Sequence, residues 1–360
     1  MVGQYLCIRD LYSFSRVSKY TSAIACSLYL HRHNLFMSSV SDTLRLGDDE
    51  FQAVDIWYRS SGFAALRLLQ CSNVERAAIE MGYICKLLNS FLVLPRSGVG
   101  HIRLDNVKTA SLQNTRVLLA TVSATHCRAL TMTGVVFQGS LSGMRRIEGA
   151  ISFRHLLSLT LMDCSLSPSQ WMNFLSSIAI SCLCMLHITG PTSMIAVSDF
   201  LLRHHDLYTL RFERSLWKDA PSFSRGLRLP RLQTLQGYCF QVLYVLSSFA
   251  SPPFLRELVI EANPPVYPRQ PDYFDEVVHC LTMCQGSPTL QILLSERSQS
   301  SPLTLDSARA HATRKLRSNK LLEIKSLCIG FVNMNDSIPV VISRNSDPNY
   351  NIFRSSEPEL

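Results

Sequence analysis

"FLLRHHDLYTLRF", Phe200 to Phe212, sets two adjacent histidines between arginines and beside an aspartate. Two readings compete: a ligand-binding or catalytic cluster, or a corner where a helix ends and a strand begins. Upstream, Met194, Val197 and Leu201 recur at helical spacing, which predicts a helix running into Arg203, His204 and His205. Aligned peptide dipoles favour cations at a helix C-terminus, by about 0.3–1 kcal/mol each at exposed positions. The histidines therefore need no catalytic role. The stretch reads as a helix end, a turn at Asp206 and a strand from Leu207.

That strand supplies a frame with apolar residues at its first, fourth and sixth positions. The frame recurs as Val99-Ile102-Leu104, Cys127-Leu130-Met132, Leu156-Leu159-Leu161, Leu183-Leu186-Ile188, Leu207-Leu210-Phe212, Leu255-Leu258-Ile260 and Ile324-Leu327-Ile329. Partial copies stand at Leu232-Leu235 and Leu290-Leu293. Successive starts lie roughly 23 to 35 residues apart, which brackets and exceeds the about 20–29 of leucine-rich repeats. Cys164 and Asn263 occupy the ninth position, where that repeat hydrogen-bonds the turn leaving the strand. Any single copy is cheap in a leucine-rich chain, whereas a series is not.

Three buried apolar side chains cannot offset the entropy of ordering about 25 residues, so each unit must share its core with its neighbours. The expected fold is α/β: a leucine-rich-repeat-like solenoid, a curved parallel sheet with outer helices or irregular turns. "SPSQWMNFLSSIAI" carries one such helix, with Ser167 as N-cap, Pro168 at the first position, Gln170 closing a capping box, and Trp171, Phe174, Leu175 and Ile178 at helical spacing. The third, fifth and seventh strand positions then face away from the core onto a solvated concave surface. His187, Arg211, Glu213, Thr234, Gln236, Tyr238, Glu257 and Glu261 fall there. Arg211, Tyr238 and Glu257 are the leading partner contacts, since Arg and Tyr anchor interfaces, with His187 and Glu261 beside them.

The N-terminal stretch "CIRDLYSFSRVSKYTSAIACSLYLHRHNL" places Ile8, Leu11, Phe14 and Val17 on one stripe and Ile24, Leu28 and Tyr29 on a second, which predicts two short amphipathic helices. It resembles the second half of an F-box, D-L-x-x-x-S-x-V-S-K followed by I-A-x-x-L-Y, matched by Asp10, Leu11, Ser15, Val17, Ser18, Lys19, Ile24, Ala25, Leu28 and Tyr29. Together with the repeats, the arrangement is similar to the fungal F-box/leucine-rich-repeat proteins. Only "MVGQYLC" stands where that family has its Leu-Pro-x-Glu helix, so the box is expected to be incomplete at its N-terminus, by truncation or by decay. The resemblance implies that Leu11, Phe14, Val17 and Leu28 contact a Skp-type adaptor. Packing onto the N-terminal end of the repeats is the alternative role for these residues.

The expected organisation is therefore partial F-box-like helices at 1–34, a linker at 35–62, the solenoid at 63–332 and a tail at 333–360 that is partly unfolded. Within it, "FAALRL", Phe63 to Leu68, reads equally as strand or helix. Ser72 and Glu75 predict a capping box for a helix through Ile84, Leu87 and Leu88. "PPVYPRQPDYF", Pro264 to Phe274, is a proline-rich loop within a repeat.

Composition narrows the function classes. The chain has 360 residues, 47% of them apolar and 17% charged, enough for a sizeable core. Its net charge of +8 arises from 35 basic and 27 acidic side chains interleaved throughout. The densest basic run, Ser307 to Lys320, carries no stacking aromatic and reads as a solvated helix face, so no nucleic-acid partner is expected. The 12 cysteines are scattered, and Arg9 and Asp10 stand where the apolar run of a signal sequence would lie, which points to a reducing intracellular compartment, cytoplasmic or nuclear. The longest apolar-looking run, Phe174 to Gly190, is broken by serines and His187 and reads as a helix end followed by a strand, so no membrane partner is expected.

Catalytic and metal signals are weak. His279, Cys280 and Cys284 fall within two helical turns but lack a second ligand pair, Cys182 and Cys184 alternate along a strand, and no C-x-x-C occurs. No phosphate-loop, G-x-G-x-x-G or G-x-S-x-G pattern is present. Neither an enzyme nor a cofactor or metal is expected. The resemblance implies a substrate receptor of an SCF-type (cullin) ubiquitin ligase that holds an unknown target protein on the concave face. A ligase-independent repeat scaffold with a decayed box is the alternative.

Overall fold

The structure is a computed structural model. It describes residues 6–18, 20–21, 24–25, 27–28, 43–46, 66–71, 99–106, 108–109, 112–137, 150–217, 226–251, 253–261, 280, 283–284, 289–295, 327–332, 337–338, 341–342 and 352–353. The proposed helix from Ser72, the proline-rich loop, the basic run, Asn263 and His279 lie outside these. The architecture is α/β with mostly parallel strands. The chain divides into two compact units, Met1–Leu183 with Pro191–Phe200, and Cys184–Gly190 with Leu201–Leu360.

The first unit opens with α1 (Ile8–Ser15), at whose N-terminus the Asp10 carboxylate accepts the Cys7 N–H at 3.2 Å. Its strands are β1 (Thr43–Leu46), β2 (Leu66–Cys71), β3 (Val99–Asp105), β4 (Lys108–Thr109), β5 (Ala129–Thr133), β6 (Val136–Phe137), β7 (Ile151–Phe153), β8 (Ser158–Met162) and β9 (Ile178–Ile180), with helices α2 (Leu112–Ala124) and α3 (Pro168–Ser176) between them. The main sheet runs β1-β2-β3-β5-β8. Each of these pairs is parallel, and the register places Leu44 beside Leu69, Leu69 beside Ile102, Ile102 beside Leu130 and Leu130 beside Leu159. Fourth positions thus meet fourth positions. Strand alternation buries Leu159 and Leu161 on one face and leaves Ser158, Thr160 and Met162 half-buried on the other.

β10 (Met185–Thr192) and α4 (Met194–Leu201) follow. The second unit continues through β11 (Thr209–Trp217), β12 (Thr234–Tyr238), α5 (Cys239–Ser248), β13 (Glu257–Glu261), β14 (Thr289–Ser295) and β15 (Leu327–Val332). From β11 to β15 neighbouring strands are parallel, with Leu210 beside Leu235, Leu235 beside Leu258, Leu258 beside Leu290 and Leu290 beside Leu327. Tyr208 and Thr209 N–H both donate to the Cys184 carbonyl, Gln233 and Thr234 to Tyr208, and Arg256 and Glu257 to Gln233. The same two-donor corner therefore opens successive strands.

The described residues resolve some expectations and correct others. "FAALRL" resolves as strand from Leu66, and Leu66-Leu69-Cys71 is a further copy of the frame. Part of the expected linker at 35–62 is β1, which pairs with β2. Within the expected tail, β16 (Ser337–Ile338) and β17 (Val341–Ile342) each pair antiparallel with β15, and β18 (Ile352–Phe353) pairs antiparallel with β17. The copy framed on Leu290-Leu293 slips by three residues: the register makes Leu290 the fourth position and Ile292 the sixth. Ile178 starts β9 instead of continuing α3, and pairs with Ile151.

The copy at Leu232-Leu235 is partial for a steric reason. A Cβ on Gly237 would come 3.0 Å from Gln241 Oε1 and 3.3 Å from Phe212 Cβ. Phe212 on one side and the first turn of α5 on the other already fill the sixth-position space.

The frames also share a backbone feature. Asn106, Gly134, Asp163 and Gly190 have φ of 52°, 63°, 49° and 77°. Each is the eighth residue of its frame, in the left-handed region that Gly, Asn and Asp tolerate; the first three directly follow β3, β5 and β8, whereas Gly190 lies within β10.

The α3 cap is as expected. Ser167 Oγ accepts Gln170 N–H at 3.3 Å while Gln170 Oε1 accepts Ser167 N–H at 2.8 Å. Ser167→Ala is expected to lower stability by about 1 kcal/mol, read as a shift in urea midpoint at unchanged slope.

Candidate functional site

The opening stretch is a corner. α4 ends at Leu201, and His204, 4% exposed, lies beyond it with its N–H donating to the Leu201 carbonyl at 3.1 Å. This corrects the view of both histidines as solvated cations at the helix end: His204 is buried. His205 is exposed, with Nδ1 3.3 Å from the Arg228 carbonyl, and Asp206 pairs with Arg231 at 3.4 Å.

The face opposite the core is built by the third, fifth and seventh strand positions. In the second unit, His187 Nε2 lies 3.2 Å from Glu213 Oε2, in a geometry too bent for a hydrogen bond. Arg211 stands in register with Gln236, and its Nε is buried with no hydrogen-bond acceptor among the described residues. Gln236 Nε2 donates to Glu261 Oε1 at 2.9 Å, and Thr234 Oγ1 donates to Glu257 Oε2 at 3.3 Å. Polar rows thus cross from strand to strand, as cross-strand pairs do.

The solvated setting predicted for this face is corrected at two positions. Tyr238 is 8% exposed and Glu261 7%. α5 begins immediately after Tyr238, the Gln241 side chain accepts the Tyr238 N–H at 3.0 Å, and the Tyr238 ring stacks on Phe240. With no turn residue between strand and helix, the ring is covered. Glu261 is enclosed beside it in register. His187, Arg211 and Glu257 remain half-buried and reachable.

Sequence reasoning missed the corresponding rows in the first unit. Gln70 Nε2 donates to Asp105 Oδ2 at 2.9 Å, Arg103 Nε lies 3.0 Å from Asp105 Oδ1, and His101 Nε2 is 2.9 Å from Thr131 Oγ1. Their third, fifth and seventh positions in the same frame were the available signal. Burial, and then the Arg103 cation, lowers the His101 pKa from its ordinary value. Because the folded state binds the proton less well than the unfolded chain, stability from this group is full above the unfolded pKa, near 6.5. It is lost as pH falls through the lower folded pKa. The wild-type melting temperature should therefore drop more than that of His101→Gln between neutral and mildly acidic pH.

The four residues assigned to an adaptor differ in access. Leu11 is fully buried, which corrects its assignment as a contact. Phe14 and Leu28 are half-buried, and Val17, beyond the end of α1, is 73% exposed. Residues 20, 21, 24, 25, 27 and 28 are helical, and Ser18 and Thr21 exchange backbone-to-hydroxyl bonds at 2.8 and 3.1 Å at the start of that segment.

The cysteines pack. Cys71 and Cys164 are pushed up to about 12 and Cys127 to about 11, by burial in each case. Cys280 is buried 3.9 Å from Cys239, and burial pushes the Cys284 thiol up to about 12. Cys182 Sγ lies 3.0 Å from the Arg154 carbonyl. Among the described residues, no three His, Cys, Asp or Glu side chains gather as metal ligands, and no helix is long and apolar enough to cross a membrane.

Comparison with family models, curated proteins and solved structures found no match to this chain.

Proposed function

We propose that this chain is a protein-interaction module, a leucine-rich-repeat-like solenoid whose concave face holds a target protein, and that it serves as substrate receptor of an SCF-type cullin ubiquitin ligase. The observation that carries the interaction face is Arg211: a guanidinium on the polar rows, half-buried, with its Nε lacking an acceptor among the described residues. A buried donor without an acceptor costs about 1–3 kcal/mol, and a partner's carboxylate paired with the reachable part of the guanidinium would offset that cost. The receptor half of the reading rests on the F-box resemblance, with Val17, Phe14 and Leu28 offered to a Skp-type adaptor. The mechanism is proximity: the receptor performs no bond chemistry and raises the target's effective concentration near the ubiquitin-loaded enzyme.

One observation favours the second reading, a ligase-independent scaffold. Leu11, a signature position of the box, is already spent inside the first unit. Co-expression with the adaptor separates the two. A receptor co-purifies with it, at the latest once a Leu-Pro-x-Glu helix is restored upstream, and loses it in Val17→Asp. A scaffold never does, and keeps its target after deletion of residues 1–34. For the target identified by pull-down with the intact chain, Arg211→Ala is expected to weaken binding about tenfold or more at unchanged melting temperature. Unchanged binding would reject Arg211 as the anchor.

A further inference from the structure

We infer a second interaction site, separate from the polar rows and built at the corner that precedes β12: a pocket that takes one bulky apolar side chain of a peptide whose flanking residues are acidic. The cavity has a volume of 490 Å³ and lies wholly within the second unit. Pockets that bind organic groups span about 300–1,000 Å³. Leu227, Leu229 and Pro253 supply a buried aliphatic lining, and Phe249 lines it beside them, held by a parallel bridge to Leu227. Gly226 and Leu227 N–H both donate to the Ser248 carbonyl, at 3.1 and 3.0 Å, which ties the segment before the corner to the end of α5. These walls are secured by backbone bonds. Phe254 stands at the mouth and is 65% exposed. Leaving a phenyl ring in water beside an apolar cavity is unfavourable, and an apolar side chain seated in the cavity would cover it.

The rim selects the charge of the occupant. Arg228 lines the pocket and is exposed, Arg231 follows the lining residue Pro230, and the exposed Arg256 lies two residues beyond Phe254. The exposed His205 approaches the Arg228 carbonyl, and Asp206 is turned toward Arg231. Among the described residues, cations therefore outnumber acids at this rim, where Asp206 is the acid named, and arginine beside an exposed aromatic is the composition of an interface anchor. A peptide fits better than nucleic acid: the pocket is an open hollow whose two phenyl rings, Phe249 and Phe254, stand among aliphatic and polar side chains, not a row of aromatic faces on which successive bases stack.

The test uses the full chain and four fluorescein-labelled probes. The first is a decapeptide with one Phe flanked on both sides by Asp pairs. The second replaces Phe by Ser, the third replaces each Asp by Lys, and the fourth is oligothymidylate. Fluorescence anisotropy should show saturable binding of the first, falling as salt rises. Binding of the second and third should be weaker by about tenfold or more, and Phe254→Ser and Arg228→Glu should each weaken the first probe by a similar factor. Both variants alter exposed side chains, so an unchanged melting curve shows that the fold is intact. The proposal is overturned if the first probe fails to bind, if neither variant weakens it, or if oligothymidylate binds as tightly. Arg211→Ala should leave this binding untouched, so failure here and failure of the concave-face reading are separate results. Loss of the peptide in Arg211→Ala would move the site to the polar rows and end this proposal.

Discussion

Leu235→Asp is expected to remove the cooperative unfolding of the second unit. Leu235 is fully buried, flanked in register by Leu210 on one strand and Leu258 on the other, both also fully buried. Truncation to alanine alone should cost about 2–5 kcal/mol through lost transfer energy and the cavity left behind. An unpaired carboxylate in the same place adds the cost of an uncompensated buried charge, about 3–5 kcal/mol. The sum, about 5–10 kcal/mol, matches the stability of many ordinary domains, which spans about 5–15 kcal/mol. Urea titration followed by circular dichroism checks it, with Ser251→Asp, an exposed site in the same unit, expected to stay within about 0.5 kcal/mol of wild type. Equal behaviour of the two variants would mean that the fourth positions are not the core.

Trp171→Ala carries the next largest effect. Trp171 is fully buried in α3, meets Phe174 edge-on with ring centroids 6.4 Å apart, and donates its Nε1–H to the Pro191 carbonyl at 3.2 Å. The indole thus joins α3 to the returning segment Pro191–Phe200 within the first unit. Loss of about 3–5 kcal/mol is expected for alanine. Trp171→Phe keeps most of the packing but leaves the Pro191 carbonyl without its donor, so about 1–3 kcal/mol is expected there. Thermal and urea melts of both variants separate the packing contribution from the hydrogen bond. A phenylalanine variant as unstable as alanine would show that the bond, not the ring volume, holds the segment.

The ladder was readable because strand burial alternates and the apolar positions are chemically distinct. The frame therefore survives in the letters wherever all three positions are apolar. It was missed at Leu66-Leu69-Cys71, where a cysteine fills the sixth position, and it slipped at Leu290, where leucines at two spacings made two frames look alike. The eighth-position series Asn106, Gly134, Asp163 and Gly190 was also present in the letters. It is a backbone signal carried by three residue types, and it becomes visible only once φ shows what they share.

The polar face was only half readable. Alternation places Arg211, Tyr238 and Glu261 on it equally. Yet Tyr238 and Glu261 are buried and Arg211 is not, because α5 follows β12 without a turn and covers its neighbours. Coverage depends on where distant segments land, and local period does not encode it. The pocket at Leu227 and Phe249 is of the same kind: its walls are about twenty residues apart in the chain and meet through one backbone bridge.

Local residue order was thus sufficient for most copies of the strand frame, the capping of α3 and the core side chains those copies carry. Periodicity and capping act over a few residues, and their energetics need no knowledge of the rest of the chain. Folding in three dimensions settled which polar side chains remain reachable, which copies of the frame stand in register, and where a cavity opens. Those outcomes depend on contacts between segments far apart in sequence, whose steric and hydrogen-bonding terms arise only when the strands are side by side.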